Sequence, residues 1–330
     1  MGEEPGINRG ERALPPRLDN HGMEKLPVAV VVVNLEGGAM LDECLDSIEA
    51  QGPEETIVVD NGSSPGELKR LDMRPAVHVI GTSQNRGFAE PSNRGVKEAG
   101  REGRAPLYVA VVNNDCTLEP GYLRSCIEAL RADDGLAAVQ GAVLDSMGAR
   151  VDGCGIGWNT RAEAIQLRRG EEPPSSDALP FAIPGVSATA AVYRRDLFLS
   201  AGGFEESFFA YYEDVDLSLR LARQGLRFVC VPSARARHLG SATGGRWPEE
   251  RWRRLLQNRL RTLRRNLSPP AKAEAFRNAF VPGSLRQAAR EIGWARTLRA
   301  AAAAGYESAA VRRRDIEVLA AFPPLAKLPT

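Results

Sequence analysis

The chain has 330 residues, of which 43% are hydrophobic and 26% are charged, and its formal net charge is +1. These proportions are those of an ordinary soluble globular protein. Because the net charge is close to zero, the overall charge does not predict a nucleic-acid or acidic partner. The length allows one large domain, or one domain with a substantial appendage.

Residues 1–26 are polar, rich in glycine and proline, and lack the apolar core of a signal peptide. We therefore predict a disordered lead-in over this range. No apolar run reaches the ~18 residues that a membrane-spanning helix needs. The sequence predicts a cytoplasmic protein, with peripheral contact at the inner face of the membrane as an alternative.

Five cysteines are scattered along the chain without the spacing of a zinc site. This pattern indicates reduced, mostly buried thiols, in agreement with a cytoplasmic compartment. Only three histidines are present, so a metal site would have to use mainly carboxylates.

Strand and helix patterns alternate through the first half of the chain. Residues 28–33 form a valine-rich run typical of a strand buried on both faces, and apolar residues at helical spacing follow between Met40 and Ile48. The alternation continues with strands at 56–59, 77–80, 107–112 and 137–143, and with helices at 91–99 and from Pro120. We predict an α/β, Rossmann-like fold with a mainly parallel central sheet flanked by helices.

The pattern loosens after residue 143. Residues 145–183 are rich in Gly, Pro, Ser and charge, and the stretch RRGEEPPSSD among them predicts a mobile loop. Residues 188–193 and 227–231 predict further strands. From residue 246 to 330 we predict a helical C-terminal extension. Its arginine-rich first helix is most simply a solvated face; contact with an anionic membrane and dimerisation are alternatives, and no nucleic-acid-binding module accompanies the charge.

Polar clusters follow four of the predicted strands. They are Asn34, Asp60–Ser64, Asn85–Gly87 and Asn113–Asp115. Each cluster alone would suit an ordinary turn, for which Asn, Asp and Gly are favoured. In a parallel sheet, however, all four must converge beyond the carboxyl ends of the strands, where ligands bind.

The turn after the first strand lacks both GxGxxG and GxxxxGK[ST], which disfavours a dinucleotide site or a phosphate loop. Asp115 suggests another way to neutralise a diphosphate, by a hard divalent cation held through few protein oxygens. A second acidic feature is the segment FFAYYEDVDL, in which Glu213 and Asp214 follow four aromatic rings. These acids either begin a helix, with Asp216 paired to Arg220, or include a general base.

Six segments resemble, in order and spacing, the family-2 inverting glycosyltransferases with the GT-A fold, and their rhamnosyltransferase-like branch most of all. The segments are VVVVN, IVVDNGSS, QNRGFAEPSNRG, YVAVVNNDCTLEPGYL, GGFEESFFAYYEDVDLSLR and ARHLGSATGG. The resemblance implies a GT-A domain over 27–245, with a nucleotide-sugar half (27–143) and an acceptor half (144–245).

The resemblance also implies a role for each matching position. Asn113 and Asn114 stand with Asp115 at the DxD motif, whose last carboxylate holds Mg²⁺ or Mn²⁺. The resemblance places Asn34 at the donor site, Asp60 at the nucleobase, and Asn85, Arg86 and Gly87 beside the donor. It makes Asp214 the catalytic base and Glu213 a residue that orients the acceptor or caps a helix. It places His238 at the metal or the diphosphate.

We therefore predict a metal-dependent inverting glycosyltransferase of cell-surface glycan synthesis. It would use a nucleoside-diphosphate sugar, with dTDP-rhamnose implied by the branch, and a glycan, lipid-linked or small-molecule acceptor. Leu35 and Asn113 depart from the family pattern, and they favour a catalytically silent nucleotide-sugar-binding protein as an alternative. A nucleotidyltransferase is a second alternative, disfavoured because the turn at 34–38 contains no basic residue.

Overall fold

The structure is a computed structural model that describes residues 24–101, 103, 105–159, 163–240 and 248–266, together with positions 290, 291, 293, 296 and 300. The predicted lead-in therefore lies almost wholly outside the described residues, as does most of the predicted helical tail after residue 266. Among the helices described, none has the length and apolar character needed to cross a bilayer.

The first half of the fold alternates strands and helices as predicted. Its elements are β1 (Leu26–Asn34), α1 (Ala39–Glu49), β2 (Pro53–Asp60), α2 (Pro65–Asp72), β3 (Val77–Gly81), α3 (Ala89–Glu98) and β4 (Tyr108–Asn113). Helix α2 was not predicted, because its 8 residues contain little apolar periodicity.

The second half contains several three-residue strands and also β6 and β12, the two longest strands described. Its elements are β5 (Cys116–Leu118), α4 (Tyr122–Ala132), β6 (Leu136–Asp145), β7 (Val151–Gly153), β8 (Ile156–Trp158), β9 (Ala164–Gln166), β10 (Phe181–Ile183), β11 (Ala190–Arg194), α5 (Arg195–Ser200), a 3₁₀ turn (Glu206–Phe208), α6 (Glu213–Ala222), β12 (Arg227–His238) and α7 (Pro248–Asn266).

The main sheet has the strand order β10-β12-β6-β11-β4-β1-β2-β3. Strands β4, β1, β2 and β3 are parallel to one another, and β6 and β12 form a second parallel pair. Strand β11 lies between these blocks and is antiparallel to both β4 and β6. The fold is an α/β sandwich with a mainly parallel sheet, which confirms the predicted class.

The sheet separates two apolar layers, because successive residues of a strand point to opposite faces. Val28, Val30 and Val32 of β1 pack with α1 and α4 on one face, while Ala29 and Val31 pack with α3 and α6 on the other. All five side chains are fully buried, and each buried valine contributes about 1.5–3 kcal/mol. The two apolar layers therefore hold the strands, and with them their carboxyl ends, in fixed positions.

Two regions differ from the sequence-based expectation. Residues 145–183, in which no strand was predicted, contain the four short strands β7 to β10, while the stretch RRGEEPPSSD, predicted as a loop, lies outside them. In α7, no residue from 251 to 266 is exposed, so its arginines do not form the expected solvated face. Arg265, for example, bonds the fully buried Asp216 at 3.1 Å. Three-residue strands are too short for a period-2 pattern, and helix charge does not reveal which side meets the protein.

Candidate functional site

A buried asparagine connects the carboxyl ends of β1, β2 and β4. Asn34 is fully buried, and its Nδ2 donates to Asp60 Oδ2 at 3.2 Å and to Glu67 Oε1 at 3.1 Å. Its Oδ1 accepts from Asn114 Nδ2 at 3.1 Å and from the Gly37 amide at 3.1 Å. All its polar atoms are thus used within the protein, which fixes the strand ends relative to one another.

A second asparagine holds the loop after β3. Asn61 Nδ2 donates to Asn85 Oδ1 at 3.0 Å, and Asn61 Oδ1 accepts from the Arg86 amide at 2.8 Å. Asn85 Oδ1 also accepts from the Gly87 amide at 2.8 Å. Gly87 has a φ of 88° and lies directly against the backbone of Phe209, a contact that a side chain at position 87 would prevent.

These loops border one cavity of about 780 Å³. Among the described residues, those lining it include eight of the predicted site residues: Asn85, Gly87, Asn113, Asn114, Asp115, Glu213, Asp214 and His238. Arg86 lies outside this lining, and Asn34 and Asp60 lie beneath it as buried supports. The carboxylates of residues 115 and 214 therefore share a cavity.

Asp115 meets His238 at the cavity wall. His238 Nε2 lies 3.1 Å from Asp115 Oδ1, and its Nδ1 lies 2.8 Å from Asp152 Oδ2. Burial alone would lower the pKa of His238, but the hydrogen bonds and charges of both carboxylates outweigh it and raise the pKa to about 9. Asp152 in turn orients the ring so that Nε2 points toward Asp115.

The pair fits a divalent cation held by few protein ligands. Octahedral metal–ligand bonds of about 2.1 Å place neighbouring ligand atoms about 3 Å apart, close to the 3.1 Å between Asp115 Oδ1 and His238 Nε2. The described residues contain no cluster of three or more acidic, histidine or cysteine side chains suited to a metal. A cation here would thus take its remaining oxygens from a substrate or from water.

Glu213 and Asp214 begin α6 on the cavity wall. Asp214 Oδ2 accepts from the Ala188 amide at 3.1 Å, and its Oδ1 accepts from the Val215 amide at 2.8 Å. Burial raises the pKa of Asp214 above its usual value, although these amides oppose the rise. Burial, followed by the charge of Asp214, raises the pKa of Glu213 well above its usual range. Within the described residues, Glu213 Oε2 is buried without a hydrogen-bond partner.

The helical reading of the acidic segment is also correct in part. Asp216 is fully buried and pairs with Arg220 at 2.7 Å, as its i,i+4 spacing predicts. Asp216 therefore supports α6, whereas Asp214, two residues earlier, faces the cavity. The same short segment therefore contains a buried structural acid and a second acid that lines the cavity.

The turn before α6 is strained. Phe209, Tyr211 and Tyr212 have φ values of 64°, 72° and 72°, a region that costs a non-glycine residue about 1–2 kcal/mol. The Phe209 carbonyl accepts from the Ala89 amide at 3.1 Å, and Tyr212 Oη accepts from the Ala164 amide at 3.2 Å. Such strain persists only where surrounding contacts hold it, and it is typical of functional sites.

Sequence reasoning missed four contributors to this site. Ala188, which bonds Asp214, was predicted only as the first residue of a strand. Asp152 lies in a segment without a predicted element, and Arg251 and Arg254 were assigned to a solvated helix although both line the cavity. No local signal identifies these residues, because each reaches the site through a contact distant in sequence.

The sequence profile described as Glycosyl transferase family 2 matches residues 28–200, more than half of the chain. The chain is 28% identical over 243 residues to the N-acetylglucosaminyl-diphospho-decaprenol L-rhamnosyltransferase of Mycobacterium tuberculosis, covering 66% of this chain and 78% of the relative. It is 22% identical to the low-salt glycan biosynthesis hexosyltransferase Agl10 of Haloferax volcanii, covering 60% and 62% of the two chains.

Solved structures show the same fold at low identity. The mannosyltransferase PcManGT of Pyrobaculum calidifontis, in complex with GDP-Man and Mn²⁺, matches with a TM-score of 0.52 at 20% identity, covering 91% of this chain and 79% of that one. GalNAc-T7 with UDP, GalNAc and Mn²⁺ matches with a TM-score of 0.53 at 16% identity, covering 64% of this chain and 42% of that one. The fold is thus of the GT-A type, and the chain is a glycosyltransferase that belongs to glycosyl transferase family 2.

Proposed function

We propose that the chain is a metal-dependent inverting glycosyltransferase that moves a sugar from a nucleoside diphosphate to an acceptor hydroxyl. The observation that carries this proposal is the shared cavity, which is lined both by Asp115 and His238, whose carboxylate and ring nitrogen lie 3.1 Å apart, and by Asp214. Single-displacement transfer needs both: charge neutralisation at the leaving group and a proton acceptor at the attacking hydroxyl.

Asp214 is the proposed base. The amides of Ala188 and Val215 each donate to one of its oxygens, so the carboxylate keeps one orientation at the cavity wall. Its raised pKa makes it a stronger proton acceptor than an ordinary aspartate. Glu213, whose own pKa is raised further, is suited in its protonated form to donate a hydrogen bond to an acceptor oxygen.

Asp115 and His238 would hold the cation, with Asn113 and Asn114 beside them; the cation would take the place of the proton that the raised pKa otherwise keeps on the His238 ring. The bound cation supplies the positive charge that stabilises a departing diphosphate. Asp152 keeps His238 Nε2 directed toward the site, as an outer hydrogen-bond partner of a metal ligand commonly does. Asn34 and Asp60 act from beneath the site by fixing the strand ends.

The donor and acceptor are also proposals. dTDP-rhamnose is supported by the likeness to the mycobacterial rhamnosyltransferase. Arg251 and Arg254 line the cavity, and guanidinium groups match phosphate oxygens well, which supports a lipid-linked diphosphate glycan as acceptor. We accordingly place the activity in cell-surface glycan synthesis. Peripheral membrane contact and dimer formation remain predictions.

The test is transfer by Asp214→Asn. We expect turnover to fall by roughly 10²–10⁴-fold while Mn²⁺-dependent donor binding, measured by calorimetry, stays at the wild-type value. Asp177→Asn, which changes an exposed aspartate, is the matched control. Wild-type turnover in Asp214→Asn would remove this residue from the mechanism. Donor binding without any transfer by the wild type would favour the silent nucleotide-sugar-binding protein instead.

A further inference from the structure

The position of Asp214 depends on the turn that precedes it. Tyr212, with a φ of 72°, occupies the N-cap position of α6, so the helix inherits its starting point and direction from this turn. Phe209 and Tyr211 also have positive φ values. Left-handed residues outside glycine relax toward other conformations unless neighbouring groups prevent it. The turn therefore needs a partner that restrains it.

Asn258 of α7 provides this restraint. Its side chain is fully buried, and Nδ2 lies 2.9 Å from the carbonyl oxygens of Phe208, Ala210 and Tyr211. One side-chain amide thus donates to three carbonyl oxygens of a single turn, which lies 47 to 50 residues earlier in the chain. Asparagine is a poor helix former, so its presence inside α7 calls for a role in tertiary contacts.

The orientation of this amide is unambiguous. Reversing its nitrogen and oxygen would direct the oxygen at three carbonyl oxygens, an arrangement without any donor. Neighbouring residues of α7 reinforce the contact: Arg261 Nη1 donates to the Ser207 carbonyl at 2.7 Å, and the Arg254 guanidinium lies 3.7 Å from the centre of the Phe209 ring. The helix packs along the whole turn.

We propose that Asn258 is a positioning residue for catalysis: its amide holds the left-handed turn at residues 208–212 and thereby places the Asp214 carboxylate in the cavity. Helix α7 lies after residues 28–200, the region that the family profile matches. On this proposal it nevertheless contributes to the catalytic site. The catalytic meaning rests on the proposed function of Asp214, whereas the restraint on the turn does not.

The experiment compares the full chain with Asn258→Asp, which keeps the side-chain shape but removes both N–H donors. We expect kcat to fall on the order of 100-fold, the loss typical of a catalytic group misplaced by about 1 Å, with KM for the nucleotide sugar unchanged. Hydrogen exchange of the 206–216 segment should quicken, while exchange in 57–64 and 108–115 should match the wild type.

Gln257→Glu is the matched control, because Gln257 is a buried amide on the same helix that bonds Arg253 within α7. This control should leave exchange in 206–216 unchanged. If Asn258→Asp does not fold, Asn258→Ser, which carries no charge, takes its place with the same expectations. Wild-type kcat, or wild-type exchange in 206–216, would overturn the proposal. Because exchange needs no turnover, an inactive wild-type protein would refute the proposed function separately.

Discussion

Replacing Gly87 by alanine tests the contact between the loop after β3 and the aromatic turn before α6. Gly87 has a φ of 88°, and a Cβ at this position would lie 2.6 Å from Phe209 Cγ and 2.7 Å from its carbonyl carbon. Phe209 cannot move away freely, since its carbonyl accepts from the Ala89 amide. The loop and the turn would therefore have to separate, and with them the two sides of the cavity.

Two costs add at this position. A left-handed conformation costs a non-glycine residue about 1–2 kcal/mol, and forcing atoms into a packed site costs about 1–3 kcal/mol more. The free energy of unfolding should thus fall by about 2–5 kcal/mol. For a domain of this size the melting temperature should fall by roughly 4–20 °C.

Thermal unfolding of Gly87→Ala beside Gly121→Ala separates the two costs. Gly121 has nearly the same φ, 86°, but a Cβ there would meet no atom within 4 Å. The control should lose only the conformational cost of about 1–2 kcal/mol. Sugar transfer should fall in Gly87→Ala and persist in Gly121→Ala. Equal losses of stability in the two variants would refute the close contact with Phe209.

Two further predictions concern the chemistry. Because burial raises the pKa of Asp214 and the base must be ionised, kcat should fall as the pH decreases through a value above 3.8, the ordinary pKa of aspartate; a profile that stays flat down to that pH would contradict the assignment. Chelation with EDTA should abolish transfer and Mn²⁺ should restore it. Asp115→Asn should weaken Mn²⁺ binding at least as much as the roughly 10–100-fold lost when a supporting partner of a ligand is removed, and unchanged Mn²⁺ affinity would exclude Asp115 as a ligand.

Local patterns were sufficient to predict the parallel block of the sheet. A strand buried on both faces must be apolar throughout, so the valine-rich run of β1 is visible without any knowledge of its partners. The polar clusters at the strand ends could likewise be placed together, because parallel strands end at one edge. The bonds from Asn34 to Asp60 and Asn114 show this convergence.

Contacts between distant segments could not be predicted in this way. The direction of β11 depends on the path of the chain, which its five residues do not encode. Asp152 reaches His238 across 86 positions, and Asn258 reaches the aromatic turn across about 50. Helix α7 has an amphipathic pattern, but the pattern does not show that its polar residues bond protein atoms. Such residues resemble ordinary surface positions until their partners are known.

The antiparallel strand β11 has a mechanical consequence. It pairs with β4 along residues 190–194 and with β6 on its other side, so it joins the parallel block of β4, β1, β2 and β3 and the parallel pair of β6 and β12 into one continuous sheet. Moving these two parts of the sheet apart would break the backbone hydrogen bonds between β11 and its neighbouring strands. A widening of the cavity entrance that keeps these hydrogen bonds intact must therefore come from the loops at its rim, while the sheet beneath them stays in place.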